Sequence, residues 1–416
     1  MLPINSYSQI QLNEVQEACS YFFSPKHIFD TSFLRNLDRE ILNEVCLRKS
    51  KEVQGLINGR KDAKSLDKIK NYLDKMKQSY AFLSAVVNGE MPDISPGRGK
   101  IIAIGGAKGG IGKSIFAANL SVFLSQKGYS TIAVDLDLGG ANLALYLGEH
   151  YILDRTINDY LKKKYVSLEE IIIQSSYGPG LIGGDSSELG AANIHYAQKI
   201  KLMRAIKSLD ADFIILDLGG DISFNMLDFF LLGDHNLVIS TRDSASYIGA
   251  YQFIKTALYR KINRLSYYAS EDEIDIDPRL CSILKKCTVA NGQPMSQSIL
   301  SLLDSVVKND PFDVPQVLKM IISFNPYLII NKAPSILHAS QVANTISDLA
   351  KRYLSIGINC PGHINKYTEI ENNMRNNIPL VSQDPEGNMA RELSRIVDNL
   401  GLINFEPKAV RKEKKA

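Results

Sequence analysis

Ile101-Ile102-Ala103-Ile104-Gly105-Gly106-Ala107-Lys108-Gly109-Gly110-Ile111-Gly112-Lys113-Ser114 decides the fold of this chain. Four apolar residues read as a buried strand, and the glycines that follow read as a loop. After Ser114 the apolar positions Ile115, Ala118, Leu120, Val122 and Leu124 fall on one helical face, giving a helix over Ser114–Gln126. Strand, glycine-rich loop and helix is the context in which such a loop binds phosphate. Glycines let successive backbone N–H groups turn inward with no Cβ in the way, and the helix N-terminus adds partial positive charge. Lys113 is placed to neutralise β/γ-phosphates, and the Ser114 hydroxyl to ligate Mg²⁺, a cation that prefers oxygen. Ala107, Lys108, Gly109, Gly110, Ile111, Gly112, Lys113, Ser114 and Ile115 are the candidate cradle.

Outward from this stretch, further apolar runs read as buried strands at Thr131–Val134, Phe213–Leu216, Leu237–Ile239 and Tyr327–Ile330, with helical segments such as Tyr196–Ser208 between them. Short strands buried on both faces and separated by helices imply a doubly wound, mostly parallel α/β sheet with helices on both sides. Two of these strands end in carboxylates, in Val134-Asp135-Leu136-Asp137 and Leu216-Asp217-Leu218-Gly219-Gly220. The carboxyl ends of parallel strands point into the ligand crevice. Four apolar residues closing on Asp217 have the form of a strand that holds Mg²⁺ through water.

The loop departs from the strict pattern GxxxxGK(S/T) in having Ala107 where glycine is usual, and it carries a second lysine, Lys108. Lys-Gly-Gly-x-Gly-Lys-Ser resembles the deviant phosphate loop of the MinD/ParA superfamily of ATPases. The resemblance implies ATP and Mg²⁺ as cofactors, slow hydrolysis and a homodimer formed on ATP binding, with Lys108 reaching the phosphates of the partner subunit. It also implies that Asp135-Leu136-Asp137 through Asn142 is switch I. Asp137 would then position the attacking water near Mg²⁺, Asp135 would support the metal shell and Asn142 the switch conformation. Gly219 fits a turn in switch II. Asn331, closing the strand Tyr327–Ile330, either reads the adenine edge as in relatives or is a turn residue. Arg242 and Asp243 stand where relatives carry a Pro-Glu loop. Leu138-Gly139-Gly140-Ala141-Asn142-Leu143, Leu189-Gly190-Ala191-Ala192-Asn193 and Leu216-Asp217-Leu218-Gly219-Gly220 are most similar to the FlhG/FleN flagellar-number branch.

The expected architecture is a small helical domain over 1–92, a P-loop domain over 98–405 with a helical insertion at about 265–324, and a basic disordered tail over 406–416. Pro92, Pro96, Gly97 and Gly99 punctuate the first boundary. In the N-terminal domain Met76-Lys77-Gln78-Ser79-Tyr80-Ala81-Phe82-Leu83-Ser84 is similar to the last helix of a J-domain, but Gly55–Ser65 lacks His-Pro-Asp. That implies a docking module without chaperone stimulation, so a regulatory protein partner would bind through this domain or through the insertion. Arg48, Lys49, Lys51, Arg60, Lys61, Lys64, Lys68 and Lys70 form either a solvated helix face or a DNA-binding patch.

Composition is ordinary for a globular chain of 416 residues, 45% hydrophobic, with a net charge of +3. The N-terminus has no secretory pattern, and no apolar run reaches the roughly 18 residues a spanning helix needs, so a cytoplasmic protein is expected. Five cysteines without CxxC spacing suggest neither zinc nor iron–sulfur chemistry. The last helix carries Leu393, Ile396, Val397 and Leu400 at helical spacing. That stripe is expected to pack on the sheet, with peripheral membrane contact as the alternative. Function reads as an ATP-dependent spatial regulator, of flagellar placement or another polar structure, with a DNA-partition ATPase as the alternative.

Overall fold

The computed structural model describes residues 99–149, 153–184, 194–271, 299–309, 317, 320–368, 378–403 and 405–407. The N-terminal helical domain, most of the insertion, Leu189–Asn193 and the basic tail from Lys408 onward lie outside the described residues. Two compact units are present, and the sheet belongs to the unit formed by Ile94–Arg260, Asn325–Arg352 and Gly357–Ala416.

That sheet has eight strands: β1 (Lys100–Gly105), β2 (Thr131–Asp135), β3 (Ile173–Gln174), β4 (Gly180–Ile182), β5 (Phe213–Asp217), β6 (His235–Ser240), β7 (Tyr327–Ala333) and β8 (Asn359–Asn365). Their order is β3-β4-β2-β5-β1-β6-β7-β8. All neighbours are parallel except the antiparallel β3–β4 pair at one edge. The five strands expected from apolar runs are all present. β3 and β4 are too short to leave a periodic signal. β8 reads Asn-Cys-Pro-Gly-His-Ile-Asn, and its proline and glycine are tolerated because it is the other edge.

Period-two alternation gives the sheet two dry faces. Ile102, Ile104, Ala133, Phe213, Ile215, Ile239, Ile329 and Ile364 belong to one core cluster with helix α1 (Lys113–Gln126) and with helix α10 (Asn388–Asn399). α2 (Leu143–Tyr146) and α9 (Leu380–Gln383) join the same cluster. Among the described residues the other helices are α3 (Ile157–Leu161), α4 (Tyr196–Ser208), α5 (Phe224–Phe230), α6 (Ser244–Glu271), α7 (Ile299–Asn309) and α8 (Ile336–Leu354). On the opposite face α5 packs against β1, and a Cβ at Gly105 would meet Phe253 of α6 at 2.7 Å and Phe230 of α5 at 3.0 Å. A buried ion triad ties three of these helices together. Asp228 of α5 accepts from Lys199 of α4 at 2.5 Å and from Arg260 of α6 at 2.8 Å by both Nε and Nη2.

The second unit contains Lys261–Phe324 and Tyr353–Ile356. Helix α7 there buries Ile299, Leu302, Leu303 and Val306 at helical spacing, and Lys261 donates to the Ser323 carbonyl at 2.7 Å. The helical piece expected around Ile299–Val307 is therefore present. α6 runs on to Glu271, past the expected start of the insertion.

The stripe on α10 is covered. Leu393, Ile396 and Val397 are fully buried, and a Cβ at Gly362 of β8 would lie 2.7 Å from Ile396. The glycine in β8 lets α10 approach the strand, and the stripe is spent on the core. Ile396→Ala is expected to cost about 2–5 kcal/mol in a denaturant titration. A loss under about 0.5 kcal/mol would mean that this face is not core.

Candidate functional site

The phosphate loop folds as a tight arch at the carboxyl end of β1. Gly110 (φ 74°) and Gly112 (φ 93°) take left-handed backbone conformations that side chains resist. Gly112 is also a position of close approach, since a Cβ there would lie 2.3 Å from the Asn331 amide nitrogen. Ala107 is accommodated where the strict pattern has glycine. The turn after β5 closes the arch from the other side, because a Cβ at Gly220 would meet the Gly109 nitrogen at 3.0 Å.

The two lysines of the loop face different ways. Lys113 is 7% exposed and donates to the Lys108 carbonyl at 3.2 Å. Burial lowers its pKa, while Asp217, Asp137 and Asp221 raise it. Lys108 has a side chain 45% exposed and pairs with Asp243 at 2.8 Å. Asp243 also accepts from the Thr241 hydroxyl and, at 3.0 Å, from the Ser246 nitrogen in the first turn of α6. The Lys108 ammonium first, and Thr241 second, hold its carboxyl down at about 2. Asp243 is the residue standing in the Pro-Glu position of relatives, and its contact is the second lysine of the loop.

Parallel pairing sets Asp135 and Asp217 side by side as register partners on β2 and β5, each 1% exposed. Their surroundings differ. Asp135 accepts from the Asp137 nitrogen at 3.1 Å through one oxygen and from the Leu143 nitrogen at 3.0 Å through the other. Burial and the neighbouring Asp217 hold its pKa well above the carboxylate range, against those two N–H groups. Neither oxygen of Asp217 meets a donor in hydrogen-bonding geometry. Burial pushes its pKa up to about 7, while the Ser114 hydroxyl and Lys113 draw it back. Asp137 is half-buried between the loops that follow β2 and β5, its carboxylate 3.3 Å from where a Cβ would stand on Gly219 and 3.5 Å from one on Gly140. Asn142 turns its amide onto the Gly140 carbonyl at 2.6 Å, inside the same loop.

A cavity of about 450 Å³ is lined by Gly109, Gly110, Gly112, Lys113, Ser114, Ile115, Asp137, Asn142 and Asn331 among the expected residues, while Ala107, Lys108, Ile111, Asp135 and Asp217 are not part of its lining. Tyr146, Lys332, Lys366, Tyr367 and Met389 line it too and had no sequence signal. Tyr367 is fixed by donating to Glu392 at 2.7 Å, and Glu392 also accepts from the Asn365 nitrogen at 3.2 Å. Asn331 is buried. Its amide nitrogen donates to the Ile111 carbonyl at 2.8 Å, and its oxygen accepts from the Lys332 nitrogen at 2.9 Å. Both ends of that amide are engaged with backbone rather than open to the cavity.

Asp217 makes the structure pH-dependent in a definite direction. Its folded pKa of about 7 lies above the ordinary 3.8, so its proton stabilises the folded chain below about pH 4, and that contribution is lost as pH rises through 7. Asp217→Asn removes the charge and keeps the shape. Without nucleotide or Mg²⁺, the variant is expected to melt several degrees above the parent at pH 8, with a gap that narrows as pH falls and closes below about pH 4. An equal difference in Tm at the two ends of that range would show that Asp217 is paired when folded.

A family profile described as an AAA domain matches residues 99–265. The flagellum site-determining protein YlxH of Helicobacter pylori is 34% identical over 163 residues, which cover 38% of this chain and 54% of that protein. The septum site-determining protein MinD of the same organism is 28% identical over 146 residues, covering 35% of this chain and 54% of MinD. The antiactivator FleN of Pseudomonas aeruginosa is 25% identical over 158 residues, covering 38% of this chain and 55% of FleN. The chain spans about half the length of the curated relatives it matches. With a two-lysine loop between β1 and α1, carboxylates at the ends of β2 and β5, and these relatives, the chain is similar to the MinD/ParA superfamily over this region and, within it, to YlxH and FleN.

Proposed function

We propose that this chain is a Mg-ATP-dependent ATPase switch that dimerises on ATP and acts as a spatial regulator of flagellar placement or number, or of another polar structure. The observation that carries the reading is the division of labour in the loop. Lys113 is turned in and buried, while Lys108 is turned out on the rim and held only by an exposed carboxylate. A rim lysine on a surface pair is free to exchange its partner for a phosphate, including one bound by a second copy, because such pairs are worth about 0–1 kcal/mol. The flagellar part is supported by the similarity to YlxH, a flagellum site-determining protein.

Magnesium fits the residues present. Asp217 has two buried oxygens that no donor meets in full hydrogen-bonding geometry, and the Ser114 hydroxyl lies close enough to favour its charged form. Mg²⁺ takes few protein ligands and keeps several waters, so a set of one hydroxyl and one carboxylate suits it. When bound it would neutralise charge on the β- and γ-phosphates. Ser114 would ligate it, and Asp217 would hold it through water. Asp135 would act from one step further out, fixing the loop that carries Asp137 through the two N–H groups it accepts. Asp137 would orient the water that adds to the γ-phosphorus as the bond to the bridging oxygen breaks, giving ADP and phosphate. Lys113, with Lys108 from the partner subunit, would stabilise the charge gathering on the phosphate oxygens. In this reading Asn331 braces the phosphate loop through the Ile111 carbonyl rather than reading the adenine edge, and the N-terminal domain or the insertion receives the regulatory partner.

Lys113→Ala is expected to abolish ATP binding, and Asp137→Ala to bind ATP without hydrolysing it and persist as a dimer. Fluorescent fusions of the parent and of Asp137→Ala test the cellular part. A polar focus that sharpens in the variant supports the reading, and a coat over the nucleoid favours DNA partition. Asp243→Asn removes the partner that holds Lys108 on its own subunit. Light scattering across a dilution series should then show ATP-dependent dimers at a few-fold lower protein concentration. Unchanged dimerisation would mean that the Lys108–Asp243 pair does not compete with assembly.

A further inference from the structure

We propose that Lys332 is a nucleotide-positioning residue that, with Asn331, holds the phosphate loop in its binding conformation. The inference rests on the nucleotide reading above and assigns a part in it to a residue that no motif singled out. At the end of β7 two consecutive side chains take two consecutive loop carbonyls. The Lys332 ammonium donates to the Gly110 carbonyl at 2.9 Å, and the Asn331 amide donates to the Ile111 carbonyl at 2.8 Å.

A trans peptide unit is planar, with its C=O and N–H pointing opposite ways. Pulling the Gly110 and Ile111 carbonyls toward β7 therefore turns the N–H groups of Ile111 and Gly112 away from it. Those are the donors a phosphate-binding loop needs to present together. The fit is close on this side, since the site of a Cβ on Gly112 lies 3.9 Å from Lys332 Cε as well as 2.3 Å from the Asn331 amide.

The backbone supports the same conclusion. Lys332 has φ 54°, a left-handed conformation that a residue with a Cβ rarely adopts. Glycine or asparagine would sit there at less cost, yet the chain places a long cation there and aims it back over the loop. Strain held at a residue that touches a ligand cradle points to a role in that cradle. Lys332 and Asn331 also line the cavity next to Gly110, Gly112 and Lys113.

The strained backbone supplies a clean test. Lys332→Gly keeps the turn, relaxes φ and removes the whole side chain with its ammonium. The expected result is a full-length protein whose Tm without nucleotide is no lower than the parent's. Its affinity for fluorescent ATP and ADP analogues should fall by about tenfold, equally for both, as befits loss of a charge-assisted hydrogen bond that sets N–H groups used by either nucleotide. Lys332→Arg, which keeps the cation and its reach, should bind within about threefold of the parent. Unchanged affinity in Lys332→Gly would overturn the inference, as would a loss confined to ATP, which would place Lys332 on the γ-phosphate instead. Failure of the parent itself to bind either nucleotide, measured in parallel, would overturn the nucleotide reading and this inference with it.

Discussion

Two carboxylates with almost no access to water stand side by side where β2 and β5 end. Everything around the phosphate loop answers to that constraint. Parallel register put them there, and burial makes their ionised forms costly. Asp135 is relieved by two backbone N–H groups and so becomes the anchor of its own loop. Asp217 is relieved only by what lies across from it, the Ser114 hydroxyl and the Lys113 ammonium. A site left one positive charge short is poised for a cation, and it is less stable without one. Binding and stability are then linked, because whatever completes the site is bound by the folded chain alone.

The loop above these carboxylates is held from outside by three strand ends. β7 takes the carbonyls of Gly110 and Ile111, the segment after β6 takes the Lys108 ammonium, and the turn after β5 brings Gly220 against Gly109. These holds differ in strength for a physical reason. The Asn331 contact is buried, whereas the Lys108–Asp243 pair is nearly half exposed and screened by water. The arch is therefore stiff where it cradles and loose where its second lysine projects.

Legibility in the sequence followed the same physics. Doubly buried strands announce themselves as apolar runs, so β1, β2, β5, β6 and β7 could be placed to within a few residues. β8 could not, because an edge strand tolerates Pro361 and Gly362 and leaves half its residues polar. The glycine loop was legible because its chemistry is contiguous, and Asp135 and Asp217 because they end strands. Their different jobs were not legible. Which carboxylate finds a donor depends on the N–H of Leu143, eight residues on, and on a serine from another element. Lys332, Tyr367 and Met389 reach the cavity only because β7, β8 and α10 return to it from more than 200 residues beyond the loop.

Asp243 shows why a local pattern was a poor guide to that last class of contact. Set against relatives, Arg242 and Asp243 look like the loss of a Pro-Glu loop. In the folded chain Asp243 instead joins two things at once, the rim lysine of the phosphate loop and the first turn of α6 through the Ser246 nitrogen. The Ser246 nitrogen donates to both the carboxylate and the backbone carbonyl of Asp243, each at 3.0 Å, and neither bond needs a lysine. Lys108 is thus the replaceable ligand of the two. Its release leaves α6 capped and the sheet undisturbed, so a change at the nucleotide can be registered on the surface at little cost to the fold.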